Sequence, residues 1–320
     1  MEIVPPRVER NRRNALNHGV IEVTAKATGS DDERSTSAFC PLLSAFSLHD
    51  VSSPAVKAVR ILSLFPIACL ALLSCRTMHP QETGFLIRTI VVHGTTYPYS
   101  VYVPLGFDAS KRWPVILFLH GAGERGMDGL RSTQIGVAAA IRANPGRVPA
   151  VVVFPQAPDD TRWLGEPAEA AMAALEKSIA EFHGDRSRIY LTGLSMGGYG
   201  TYHLALAHPD TWAALVVVCG GLFPHETTTS VQQSPLTMNA PEPYGFTAHA
   251  LRHLPIRIFH GDADPVIPVS ESRKMAEALK EEGADVRYVE LPGVGHNAWE
   301  RAYGDEALWE WLFQQRRAVR

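Results

Sequence analysis

The sequence predicts an α/β architecture, a mostly parallel central sheet with helices on both faces. Strand-like and helix-like segments alternate through most of the chain, the sign of a sheet covered by helices. Several strands are continuous apolar runs, such as Pro114-Val115-Ile116-Leu117-Phe118-Leu119 and Ala214-Leu215-Val216-Val217-Val218. Strands of that kind are buried on both faces, which is the condition of a parallel sheet. The third observation is Gly193-Leu194-Ser195-Met196-Gly197, placed where the chain turns from a strand into a helix.

The elements follow in order. Leu86 to Val92 and Tyr97 to Val103 read as an opening antiparallel pair around His93-Gly94-Thr95. The strand at Val115 comes next, then a helix near Leu130–Ala143 and the strand Val151-Val152-Val153-Phe154. A helix over Glu166–His183 shows apolar residues at Ala168, Met172, Leu175, Ile179 and Phe182, close to a 3.6-residue period. Arg188-Ile189-Tyr190-Leu191-Thr192 is a strand rich in β-branched and aromatic residues. Gly198 to His208 is a helix stopped at Pro209, followed by the strand ending at Val218. Pro255 to His260 and Val286 to Leu291 are the last two strands, and helices near Ser270–Glu282 and Asp305–Arg316 close the domain.

The chemistry lies at the strand ends. A strand–Ser–helix turn as tight as that at Ser195 needs glycines on both sides, because a Cβ there meets the neighbouring strand or helix. The turn holds the serine hydroxyl out at the top of the sheet, the nucleophile elbow of an α/β-hydrolase. Its partners are expected in the order Ser, Asp, His. The strand at Pro255 runs into Gly261-Asp262-Ala263-Asp264-Pro265, and the last strand leads to Gly293-Val294-Gly295-His296. Both are loops at the carboxyl ends of strands, where open α/β sheets place their ligands. His296 is read as the general base. Asp262 competes with Asp264 to orient it; Asp264 is favoured, and Asp262 is assigned to bracing the loop through backbone N–H groups. Upstream, His120-Gly121-Ala122-Gly123 follows a central strand, and such a glycine-rich turn can aim backbone N–H groups at an oxyanion. Met196 supplies the N–H just after the nucleophile. His120 and His260 are read as structural, bonding loop backbone. Glu124 and Arg125 are read as a local pair or as facing solvent.

These words, Leu119 to Gly126, Leu191 to Gly200, His260 to Val266 and Pro292 to Asn297, resemble those of bacterial α/β-hydrolase esterases. The related families are the dienelactone hydrolases, phospholipase/carboxylesterases, polyhydroxybutyrate depolymerases and prolyl oligopeptidase-like peptidases. The resemblance covers roughly residues 84–315. It implies a triad of Ser195, Asp264 and His296 and an oxyanion hole on Ala122 and Met196, with Gly123 as a neighbouring donor. The chain departs from the pattern between Leu222 and Arg252, which is long, proline-broken and polar, with Thr227-Thr228-Thr229 inside it.

Composition narrows the remaining classes. The chain has 320 residues, a net charge of −3 and 46% hydrophobic residues, enough for one α/β domain with extensions. Near-neutral charge argues against nucleic acid, which calls for a basic face. The four cysteines, Cys40, Cys69, Cys75 and Cys219, form neither a disulfide framework nor a C-x-x-C metal pattern. No metal or organic cofactor is implied. Residues 1–55 lack sustained periodicity and read as disordered or as an over-extended gene start. Residues 56–75 carry Lys57 and Arg60, then an apolar stretch from Ile61 too short to span a bilayer comfortably. Leu72-Leu73-Ser74-Cys75 resembles a lipoprotein processing site, with Cys75 lipidated and the protein exported and anchored at the cell envelope. Residues 76–320 are then the catalytic domain.

The expected activity is serine carboxylic-ester hydrolysis through an acyl-enzyme, on short-chain or aromatic esters such as acetyl or feruloyl groups on saccharides. The alternatives are a serine peptidase with the same triad and a non-catalytic surface lipoprotein. Trp163, Gln156 and Trp299 fall on loops near the site and are expected to line the substrate pocket, where flat rings suit sugars and phenolic groups. The expected partner is a small-molecule or saccharide ester, with membrane contact only through Cys75 and a chain able to act as a monomer.

Overall fold

The computed structural model describes residues 82–224 and 232–317. The expected N-terminal extension, the signal segment with Cys75, and Thr227-Thr228-Thr229 lie outside the described residues.

Eight strands form one sheet: β1 (Gly84–Val92), β2 (Thr95–Val103), β3 (Trp113–Leu119), β4 (Val151–Pro155), β5 (Gly184–Leu194), β6 (Ala214–Val218), β7 (Ile256–Gly261) and β8 (Val286–Leu291). Their spatial order is β1-β2-β4-β3-β5-β6-β7-β8. β1 pairs antiparallel with β2 and β2 antiparallel with β4; every other pairing is parallel. The fold is that of an α/β-hydrolase. From β3 the chain moves one way to β4, then crosses back over β3 to β5. The carboxyl ends of β3 and β5 therefore flank the point where strand order reverses, which is where such sheets open a crevice.

The buried strands distribute their side chains by the period-2 rule. Val115, Leu117 and Leu119 of β3 face one core, and Ile116 and Phe118 face the other. Helices α2 (Glu166–Glu181), α3 (Met196–Ala207), α5 (Pro243–Leu251) and α6 (Ser270–Glu281) cover the first face. Helices α1 (Val137–Ala143), α7 (Trp299–Gly304) and α8 (Glu306–Gln314) cover the second, and a short α4 (Pro235–Met238) lies in the segment before α5.

Two elements differ from expectation. The helix expected over Leu130–Ala143 is a 3-10 turn at Arg131–Thr133 and then α1 alone. The break falls at Gly136, which has φ of +63° and where a Cβ would stand 2.5 Å from the Phe118 ring. Only glycine passes easily in that conformation and that space. β5 extends back to Gly184 rather than starting at Arg188, because Gly184 pairs with Trp113 across an irregularity in β3.

Candidate active site

Ser195 stands between β5 and α3 with φ of +53°, a conformation few non-glycine residues adopt. Its N–H donates to Val218 O at 3.0 Å, which ties the elbow to β6. The flanking glycines are required by close backbone contact. A Cβ on Gly193 would collide with Gly197 O, and one on Gly197 with Leu119 O. α3 is thereby pressed onto the end of β3, and the serine is held out at the switch point.

Ser195 Oγ lies 2.9 Å from His296 Nε2, and His296 Nδ1 lies 2.8 Å from Asp264 Oδ2. The Asp264 carboxylate is wholly shielded from solvent. A carboxylate only accepts, so Nδ1 of His296 carries the proton and Nε2 is left to receive one from the serine. Asp264 Oδ1 accepts the N–H groups of Val266 (2.8 Å) and Ile267 (3.0 Å), and His260 Nε2 stands 3.2 Å from Oδ2. Burial pushes this carboxyl upward. The bonds from His260, His296 and Val266 outweigh it and hold the group well below the usual carboxylate range. Asp262 is exposed and accepts the Gly293 N–H at 2.7 Å, bracing the turn before His296.

Two first-turn N–H groups flank the serine side of this array. Met196 opens α3, and Ala122 opens a 3-10 turn, Ala122–Glu124, after β3. First-turn N–H groups have no intrahelical acceptor and so remain available to an anion. A Cβ on Gly121 would sit 3.6 Å from the Ser195 Cβ, so this turn lies directly against the nucleophile. Gly123, the neighbouring donor candidate, is exposed.

The turn after β3 is stitched to the loop after β4. The buried His120 accepts the Ala157 N–H at Nε2 (3.0 Å), and its Nδ1 bonds Gly121 O. Burial lowers its pKa to about 4, so it stays neutral. Gly126 N–H donates to Ala157 O at 3.0 Å. Here two expected pocket residues take other roles. Gln156 is 2% exposed; its Oε1 accepts Gly129 N–H at 2.6 Å and its Nε2 donates to Glu124 O at 3.1 Å. With both amide atoms engaged in holding the loop, Gln156 is a brace and not a substrate contact. Trp163 is also 2% exposed, and its indole N–H donates to His120 O at 3.0 Å. Only its ring reaches a cavity, as one wall of a narrow crevice shared with Met196, Tyr199 and Leu222. Trp299 meets the His296 ring edge-to-face, with centroids 5.5 Å apart.

Three contacts were not read from the sequence. His260 does bond loop backbone, at Ile267 O (3.0 Å), and in addition reaches Asp264 and Ser272 Oγ (2.7 Å). Arg125 does not simply pair with Glu124; its Nη2 is 3.1 Å from Met196 Sδ, beside the nucleophile. The buried Glu271 accepts Leu222 N–H (2.8 Å), Phe223 N–H (3.2 Å) and the Tyr244 hydroxyl (2.6 Å), tying the loop after β6 to α5 and α6. No local pattern announces the roles of Arg125 and Glu271, since both join segments distant in sequence. Cys219, Asp264 and His296 place ligand-type atoms within 4.8 Å of one another, the one such trio among the described residues. Two of the three already hydrogen-bond each other within the Ser–His–Asp array.

Known proteins share this framework. Residues 160–317 match the prolyl oligopeptidase family. The crystal structure of a thermostable esterase superposes with a TM-score of 0.62 at 30% identity, covering 73% of this chain and 63% of that one. Feruloyl esterase B of Thermothelomyces thermophilus is 26% identical over 257 residues, 69% of this chain and 82% of that protein. Acyl-protein thioesterase 1 of Gibberella zeae is 43% identical over 49 residues, 15% of this chain and 21% of that protein. The chain therefore spans about a fifth of the thioesterase and under two thirds of the esterase structure. It is esterase-like in its relatives, and peptidases fall within the matched family.

Proposed function

We propose that this chain is a serine hydrolase that cleaves carboxylic esters through an acyl-enzyme, with Ser195, His296 and Asp264 as its triad. The observation that carries the reading is the continuous hydrogen-bonded line from Ser195 Oγ through His296 to the buried Asp264 carboxylate. His296 takes the serine proton as Ser195 attacks the ester carbonyl, and Asp264 holds the tautomer and stabilises the imidazolium. The oxyanion sits between the Ala122 and Met196 N–H groups, each worth roughly 3 kcal/mol in the transition state. His296 then protonates the leaving alcohol and activates the water that releases the acyl group.

The substrate class is a short-chain or aromatic ester, such as an acetyl or feruloyl group on a saccharide. The crevice between Trp163, Met196, Tyr199 and Leu222 is narrow and walled by large side chains, which favours a small or flat acyl group over a long flexible one. Trp299 beside His296 offers a flat ring to an aromatic or sugar ring. kcat/KM for p-nitrophenyl acetate and butyrate is expected to exceed that for octanoate and palmitate by about tenfold or more, since forcing extra methylenes between packed crevice walls costs about 1–3 kcal/mol. Methyl ferulate should also be cleaved. A steady rise towards palmitate would overturn the short-chain reading. Faster cleavage of peptide anilides than of esters would favour the peptidase alternative, and no hydrolysis of any of these the non-catalytic one.

Export and lipid anchoring at Cys75 belong to the same proposal. They are supported by Lys57 and Arg60 ahead of the apolar run and by Leu72-Leu73-Ser74-Cys75. Expressed from Val51 or Val56 in a bacterial host, the protein should fractionate with membranes, and Cys75→Ser should shift it to a soluble or unprocessed form. Stable anchoring takes two or more lipid chains, which lipoprotein processing supplies. An intact mass that retains residues 1–74 would refute the assignment.

A further inference from the structure

The triad loops lie at the carboxyl edge of the parallel strands. The opposite, amino edge carries a charged surface that the hydrolase mechanism does not use. A groove of about 360 Å³ opens there, lined by Lys111, Arg112, Trp113, Pro149, Arg188 and Phe313. Its cations exceed its carboxylates. Asp108 takes Lys111 at 3.3 Å, and Asp185 is shared between Arg188 (2.7 Å) and Arg316 (3.4 Å). Arg112 is exposed and makes no ion pair among the described residues. Glu181 and Asp285, on the same edge, already hold Arg88 (3.1 Å) and Arg257 (3.2 Å). The whole chain carries a net charge of −3, so this positive excess is local.

Apolar groups stand among these charges. Leu105, in the loop from β2 to β3, is 71% exposed, and Trp113 and Phe313 are only partly buried. Lys and Arg around an exposed Leu and aromatic rings suit an anionic lipid surface, where phosphates take the cations and the rings sit at headgroup level. The direction of β1 is a second, independent observation. Gly84 pairs with Val103, and Tyr102 with Val152, so the chain enters β1 at this same edge. Eight residues separate Cys75 from Gly84. A stretch of that length reaches at most about 30 Å, so a lipid on Cys75 would keep this end of β1 within that distance of a bilayer.

We infer that the amino edge around Lys111, Arg112, Arg188 and Arg316 docks on an anionic lipid surface, a membrane contact in addition to the one at Cys75. The orientation this gives the protein rests on the proposed anchoring at Cys75; the docking surface itself does not. The contact alone is weak and salt-sensitive, since each cation near such a surface contributes only about fivefold in affinity. β5 runs from this edge to the nucleophile through eleven residues. At about 3.3 Å each they set Ser195 roughly 35 Å from the docked surface, on the side facing away. Lipids of that membrane are then out of reach, and the ester arrives from the aqueous side.

The test uses the full chain carrying Cys75→Ser, which removes the lipid acceptor. Partitioning is measured onto vesicles of phosphatidylcholine alone and of phosphatidylcholine mixed equally with phosphatidylglycerol. This parent should favour the anionic vesicles, and raised salt should erase the preference. Arg112→Glu should weaken binding to the anionic vesicles at least about fivefold. Arg301→Glu, the same charge change on exposed α7 beside the catalytic edge, should shift it by less than about twofold. The segment before β1 is common to all these proteins and cancels between them. Both variants should keep the parent melting temperature and p-nitrophenyl acetate turnover. Equal binding to the two vesicle types would overturn the inference, as would equal effects of the two charge reversals. Loss of dextran sulfate binding in Arg112→Glu, with vesicle binding intact, would also overturn it and assign the edge to a soluble polyanion. Failure of anchoring at Cys75, read from the intact mass and fractionation, would overturn the orientation while these vesicle results still decide the docking surface.

Discussion

Ser195→Ala is expected to leave a folded protein whose turnover of p-nitrophenyl acetate falls by about 10⁶-fold, as for a triad nucleophile removed from subtilisin. The fold should survive, because among the described residues the hydroxyl bonds only His296. The elbow itself is held by contacts the substitution does not touch: the Ser195 N–H to Val218 O and the backbone approach of Gly193 and Gly197. Alanine tolerates the φ of +53° no worse than serine does, since both carry a Cβ. An unchanged thermal midpoint with the predicted loss of activity would support the assignment. Residual activity within about tenfold of the parent would remove Ser195 from the mechanism.

Asp264→Asn should lower kcat by about 10⁴-fold, whereas Asp262→Asn should change it only a few-fold. The reason is in the bonding of the two oxygens. Oδ1 accepts two backbone N–H groups, from Val266 and Ile267, so an asparagine must keep its carbonyl oxygen there. Its NH₂ then takes the place of Oδ2, where it faces the N–H groups of both His260 and His296. Donor meets donor, and His296 is driven to the tautomer with its proton on Nε2, which cannot accept the proton of Ser195. Asp262 accepts the Gly293 N–H, which an asparagine carbonyl can also accept. Comparison of the two variants by kcat at saturating substrate decides between the carboxylates. A reversed ranking would exchange their roles.

The parts legible in the sequence were those written in backbone constraint. Gly193 and Gly197 are glycines because carbonyl oxygens occupy the space of a Cβ, and that necessity shows as a short motif. The apolar runs of β3, β4 and β6 are likewise visible, because strands covered on both faces carry little polarity. What stayed hidden was set by contact between distant segments. Nothing local says that Gln156 reaches across to Gly129 and Glu124, or that the Trp163 indole finds His120 O. Position on a loop near the site suggested substrate contact; for Gln156 hydrogen-bond saturation of a buried amide decided otherwise, and of Trp163 only the ring face is left to the crevice. Glu271 is the extreme case: a carboxylate on a helix, buried where two N–H groups and a phenol meet it.

The bonds that join the turn after β3 to the loop after β4 have a consequence for how the enzyme meets its substrate. His120, Gly126, Gln156, Ala157 and Trp163 lock two irregular segments together from below. A loop so restrained has little freedom left to lose, and under the proposed mechanism its dipoles are set before any ligand arrives. In polar solvent the same stabilisation would require molecules to turn and reorganise as the reaction proceeds; here that work was completed during folding. Substrate encounter therefore needs no closure of this wall. Slow amide exchange at Gly126 and Ala157, persisting in the unliganded protein as in neighbouring strands, is the signature such rigidity leaves.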